Sequence, residues 1–192
     1  EHLFLLVFRQ PPPVETYTPP TVSPILQTFL DRLGTSPTCV IDARINVIGW
    51  NAAYCAVFGN FSALTERERN LIWRIFTNPL SRQANEHWKE VARPYLAQFR
   101  AGYGRFINDP WWAQQIAELS EVSPDFRELW SHHDVVNLSE GRKVFKHPIA
   151  GELDFDILWL QTVESEDIRL LIHTPRSNTG TVEKIERLLS NA

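Results

Sequence analysis

The 192-residue sequence predicts an α+β domain, with one largely antiparallel five-stranded sheet and helices packed on one face. The order of elements is the first sign: two short strands, several helices, then three strands. The second is the stretch GELDFDILWLQTV at 151–163. There Leu153, Phe155, Ile157 and Trp159 share one face, and Glu152, Asp154 and Asp156 share the other. Such alternation fits a sheet with one covered and one wet face.

Each element has its own signal. SPILQTFLDRLG reads as a helix with Ser23 at the N-cap, Pro24 at the first helical position and Gly34 just past the end. Its apolar stripe is Leu26, Phe29, Leu30 and Leu33. TCVID and INVIG are strands flanking a turn at Ala43-Arg44, and a short helix follows over 51–58. TERERNLIWRIF is helical and ends before Asn78-Pro79, because a residue preceding proline is pushed out of the helical region. A longer helix over 82–101 carries Trp88, Val91, Tyr95 and Phe99 at helical spacing, and Pro94 is expected to kink or split it. Asp109-Pro110 and Ser123-Pro124 each open a further helix. In the second of these, Phe126, Leu129, Trp130 and His133 fall on one face. RKVFKHP, the 151–163 strand and DIRLLIHTP complete the sheet, and TVEKIERLL forms a last helix.

Composition narrows the class. With 43% hydrophobic and 22% charged residues the chain is globular, neither disordered nor membrane-spanning. Seven Trp and eleven Phe supply enough apolar surface for a substantial core or a lined cavity. A formal charge of −4 argues against a nucleic-acid surface in this chain. Cys39 and Cys55 read as buried thiols of a reducing cytoplasm rather than a bridge. EHLFLLVFRQ at the start has no basic flank or cleavage site and is too short to cross a bilayer. It is followed by the stiff, Pro-rich QPPPVETYTPP. Residues 1–22 are therefore expected to be the last helix of a domain further upstream plus a linker, or else a helix that docks back. The expected units after it are a domain over 23–176 and a terminal helix over 177–192.

TCVIDARINVIGWNAAYCAVFG resembles the opening of a PAS domain. Asp42 at the turn, Asn51 at the strand end, Ala53 and Gly59 fit the family habit, while Arg44 or its neighbour replaces the usual turn glycine. HLFLLVFRQPPP, VIGWNAAYCAVFG, ERNLIWRIFTNP, SPDFRELWSHHDV and HPIAGELDFD then occur in an order similar to the C-terminal sensor domain of MmyB-like regulators. These are helix-turn-helix transcription regulators of the Xre type. The resemblance implies a PAS-like sheet, a small apolar ligand such as a fatty acid, and contact with DNA only through a domain N-terminal to this chain. The residues show no nucleophile elbow, no phosphate-cradling Gly-rich loop and no cysteine beside a base, so no enzyme is expected. No motif marks a cofactor ligand, haem by His ligation staying open, and no membrane partner is expected.

Among the residues themselves, the aromatic set Trp50, Phe58, Trp73, Phe76, Trp111, Trp112, Phe126 and Trp130, with Leu129, is either plain core or in part a cavity wall. Arg69 and Asn70, with Arg67 and Arg74 nearby, open an apolar helix. An inward arginine there would hold a carboxylate, whereas outward ones would pair with Glu66 or Glu68. His133 extends the Trp130 face as a ligand donor or a satisfied core histidine. His132, His133 and Asp134 in one run do not make a metal site on one helix face. Asp154 and Asp156 have the spacing of paired carboxylates, but a solvated strand face has the same pattern. Two alternatives to the sensor reading stay open. One is a homodimerising module with a closed core, paired through the stripes at 24–33 and 181–189. The other, weaker, is an enzyme using the two aspartates.

Overall fold

The structure, a computed structural model, describes residues 16–85, 87–132, 141–163 and 165–191. The first helix, α1 (Pro24–Arg32), leads into β1 (Thr38–Ile41) and β2 (Val47–Trp50). A run of helices follows: α2 (Ala52–Phe58), α3 (Glu66–Arg69), α4 (Leu71–Thr77), α5 (Pro79–Gln83), α6 (Trp88–Arg105), α7 (Pro110–Val122) and α8 (Pro124–Ser131). The chain then forms β3 (Gly141–His147), β4 (Gly151–Gln161), β5 (Arg169–Pro175) and α9 (Thr181–Ser190). The sheet order is β2-β1-β5-β4-β3, antiparallel throughout, as the sequence predicts.

Strand alternation sorts the side chains into two layers. Cys39, Ile41 and Leu171 face α2–α8 and join the main core with Ile72, Phe76, Leu96, Phe99, Trp112 and Phe126. Val40, Leu170 and Ile172 point the other way, where α1 covers them with Leu30. The large helical layer thus lies on one face, and α1 shields part of the second. Helix α9 packs Ile185 on Leu153 and Phe155 beside α2.

The caps predicted at Ser23, Asp109 and Ser123 hold, and Asn51, expected only at the strand end, caps α2; each accepts a hydrogen bond from a first-turn N–H. Asn51, almost fully buried, does more. Its Oδ1 accepts from Tyr54 N at 3.0 Å and Thr38 N at 3.1 Å, and its Nδ2 donates to Leu30 O and Ser36 O. One amide thereby joins α1, β1 and α2.

Three expectations are corrected. The helix foreseen over 65–76 breaks at Asn70, which ends α3 and caps α4. Its Nδ2 donates at 2.8 Å to both Arg44 O and Asn46 Oδ1, so a tertiary contact outweighs helix continuity. The helix foreseen over 82–101 starts only at Trp88 and runs through Pro94 unsplit. The carbonyl that Pro94 leaves without an N–H is that of Glu90, a residue on the exposed side of the helix. Finally, the wet face of β4 holds for Glu152 and Asp156 but not for Asp154. That carboxylate is 5% exposed and accepts from Arg142 Nε and Nη2 at 3.0 and 2.8 Å.

At the β1–β2 turn, the residue in the left-handed conformation is Ile45, at φ 64°. A β-branched side chain is strained there. Its complete burial in the core, and the bond from Leu71 N to its carbonyl at 3.0 Å, hold it in place.

Candidate functional site

Between the sheet and helices α2 and α4–α6 lies a cavity of about 440 Å³. Its walls come from Phe58 and Tyr54 of α2, Leu71 and Ile75 of α4, and Trp88, Val91 and Tyr95 of α6, with Phe145 and His173 from the sheet. The fold creates it by a mismatch of sizes. Ala56 and Ala84 contribute little bulk where the helices meet β3, while Trp88 and Phe145 hold the layers apart.

The polar groups on this wall are strongly biased in charge. Arg74, Lys143 and Lys146 line it, and among the described residues the lining includes no Asp or Glu. Arg74 donates to Phe58 O at 3.3 Å and to Glu68 O at 3.5 Å, and its guanidinium carbon sits 4.8 Å from the Phe61 ring centroid. Lys143 stands on the inner face of β3, paired with Phe155 of β4. Its ammonium lies 5.2 Å from the centroid of the Phe58 ring. Burial brings its pKa down to about 8, partly offset by the nearby Cys39 thiol. The Cys39 thiol is itself pushed up to about 12 by complete burial, so it is no nucleophile. Burial also raises the Tyr54 and Tyr95 hydroxyls and holds His173 neutral, well below its ordinary value.

The sequence-predicted residues are spread across this architecture. Phe58 lines the cavity. Phe76, Phe126 and Leu129 are buried in the main core, with Trp130 half-buried beside Phe126 at 5.6 Å. The ring series continues from Phe126 through Phe76 to Trp88, so it reaches the cavity wall through Trp88. Trp50 packs on Phe61 at 5.9 Å, Trp73 lies under Arg67 and Trp111 under Arg44. Arg69 donates to Phe61 O and Ser62 O and holds a tight turn, while Asn70 is used up in its cap and bridge. His133 lies outside the described residues.

Of the arginines in that helical region, it is Arg74 that lines the cavity. Trp88, Tyr95, Lys143, Phe145 and His173 were not singled out as site residues from the sequence. The one available signal was Lys143, a lysine in phase with Phe145 and His147 along β3.

A second, more polar groove of about 530 Å³ lies at the β1–β2 turn, lined by Tyr17, Arg44, Asn46, Arg67, Trp111 and Gln115 among others. It mixes both signs of charge. Arg44 is paired with Asp109, and Arg67 with Glu118.

A family model described as the MmyB-like transcription regulator ligand binding domain matches residues 22–189. The chain belongs to this family. Comparison with curated proteins gave no match. Membership makes the chain the ligand-sensing regulatory domain of a transcription regulator. No helix among the described residues is long and apolar enough to cross a membrane.

Proposed function

We propose that this MmyB-like domain senses a small apolar acid, fatty-acid-like in character, held in the cavity between the sheet and α4–α6. The supporting observation is the pairing of aromatic and aliphatic walls with three cations, Arg74, Lys143 and Lys146, and no acidic side chain among the described residues. An acyl chain of about ten methylenes would gain roughly 8 kcal/mol on burial at about 0.8 kcal/mol per group. Association and ordering costs of several kcal/mol leave an affinity on the order of micromolar, suited to a sensor that also releases its ligand. The carboxylate would meet Lys143 and Arg74, whose donors are charge-assisted. Occupancy would bias the domain through its different affinity for two arrangements. The linker at Tyr17 would pass that bias to an N-terminal DNA-binding domain.

Solvent extraction of the purified domain followed by mass spectrometry tests the reading directly, together with thermal shift on added fatty acids. An acid bound in stoichiometric amount supports it. An empty cavity with no shift from any chain length rejects it.

A second reading, homodimerisation, has its own observation. Ile25 and Phe29 of α1 and Leu160 of β4 are exposed on the outer side of the sheet. Sedimentation at high concentration decides: a monomer that stays a monomer removes this reading.

A further inference from the structure

His173 gives the cavity wall a chemical feature that an unsubstituted acid leaves unused. The residue is 1% exposed on β5. Its backbone N–H donates to Pro37 O at 3.0 Å, and its ring Nδ1 lies 3.0 Å from the same carbonyl. A carbonyl only accepts, so Nδ1 carries the hydrogen and Nε2 of the neutral ring carries a lone pair. Nε2 is buried and has no partner among the described residues. Rings pack around the imidazole, Phe58 at 4.9 Å, Phe155 at 5.7 Å and Tyr54 at 6.2 Å between centroids, and a ligand reaches Nε2 from the cavity as the Phe58 ring on its wall turns aside. A buried acceptor with no donor is unfavourable, and native interiors seldom leave one unless something else fills the role.

The group that satisfies it must be a donor. An ammonium on the ligand would be repelled by Lys143 and Arg74, which line the same cavity. A neutral donor close to an acid group meets both demands, and a hydroxyl is the smallest such group.

We propose that the cavity selects a hydroxy acid, its carboxylate against Lys143 and Arg74 and its hydroxyl, a few bonds away, donating to Nε2 of His173. This rests on the reading of the cavity as an acid site. It goes beyond that reading by naming a polar substituent that the ligand carries.

The experiment compares dodecanoate with 2-hydroxy- and 3-hydroxydodecanoate on the whole chain by calorimetric titration. Tighter binding of either hydroxy acid, on the order of 10- to 100-fold, is expected, because a site shaped for a hydroxyl penalises the analogue that lacks it. In His173→Asn, the amide nitrogen can still donate to Pro37 O but no acceptor stands at Nε2, and the preference should vanish while dodecanoate still binds. His173→Gln, which places an amide oxygen near Nε2, should keep part of it. Equal affinity of wild type for all three acids would overturn the hydroxy-acid assignment and leave the acid site standing. Binding of none of them would overturn the acid site itself, and this assignment with it. The wild-type comparison needs no variant to fold.

Discussion

The Tyr17 hydroxyl donates to the Asp42 carboxylate at 2.6 Å, fastening the segment before α1 to the β1–β2 turn. Asp42 also accepts from Asn46 N at 2.8 Å and Asn46 Nδ2 at 2.9 Å. The Arg44 guanidinium lies over the Tyr17 ring at 3.8 Å, and Phe106 meets that ring edge-on. Further along, Val22 packs so closely on Gly49 that a Cβ there would fall 2.8 Å from the Val22 side chain. The linker is therefore part of the folded domain from Tyr17 onward.

Tyr17→Phe removes one hydrogen bond and leaves a buried carboxylate short of a donor. Urea unfolding should show a loss of about 1–2 kcal/mol. Limited proteolysis should cut residues 16–22 faster than in wild type. Unchanged cleavage would mean that the ring contacts alone hold the linker.

Two helical glycines should respond in opposite directions. Gly102 of α6 faces Trp112, and an added Cβ would also lie 2.7 Å from Ala43 O, a backbone atom with no room to retreat. Gly102→Ala should destabilise by about 1–3 kcal/mol through overpacking. Gly104, two residues on, has open space around it, and Gly104→Ala should stabilise by about 0.5–1 kcal/mol from helix propensity. Thermal denaturation of the two variants reads the sign.

Stability should fall on acidification through two histidines. Burial holds both His147 and His173 below the ordinary value, which is about 6.5. His147 Nδ1 also accepts from Ile149 N and Ala150 N, a role that requires it unprotonated. A lowered folded-state pKa contributes stability that is present above about 6.5 and lost as pH falls through the folded value. Asp42 acts in the other sense. Burial raises its carboxyl, so its contribution declines as pH rises from about 4. Unfolding titrations between pH 7.5 and 5 should therefore show a flatter slope for His147→Gln with His173→Gln than for wild type.

Lys143→Met keeps the side-chain stem and removes the charge. Acid binding should weaken by about tenfold or more, and binding of the matching alcohol should hardly change. In wild type, acid affinity should also drop as pH rises past about 8, where the Lys143 ammonium of the free cavity loses its proton. Titration calorimetry at pH 7 and pH 9 checks both.

Much of this fold was legible before any coordinates because its signals are local. A cap needs only Ser or Asp one residue before the first turn, as at Ser23, Asp109 and Ser123. A covered strand needs only alternation, as along β4. The break at Asn70 was not legible, since its partners Arg44 and Asn46 are 26 and 24 residues away. Asp154 reads as one of three similar acids until Arg142 is seen closing over it.

The sequence by itself determined the α+β class, the order of elements, the antiparallel sheet and the membership of the MmyB-like family, all carried by short-range patterns. Only the tertiary structure decided which aromatic rings fill the core and which border a space. Phe126 and Phe58 have the same chemistry in the chain, but the first is enclosed by Phe76 and Trp130, while the second faces the gap held between Ala56, Ala84 and the sheet. A cavity is packing left undone among residues far apart in sequence, and no local pattern encodes it.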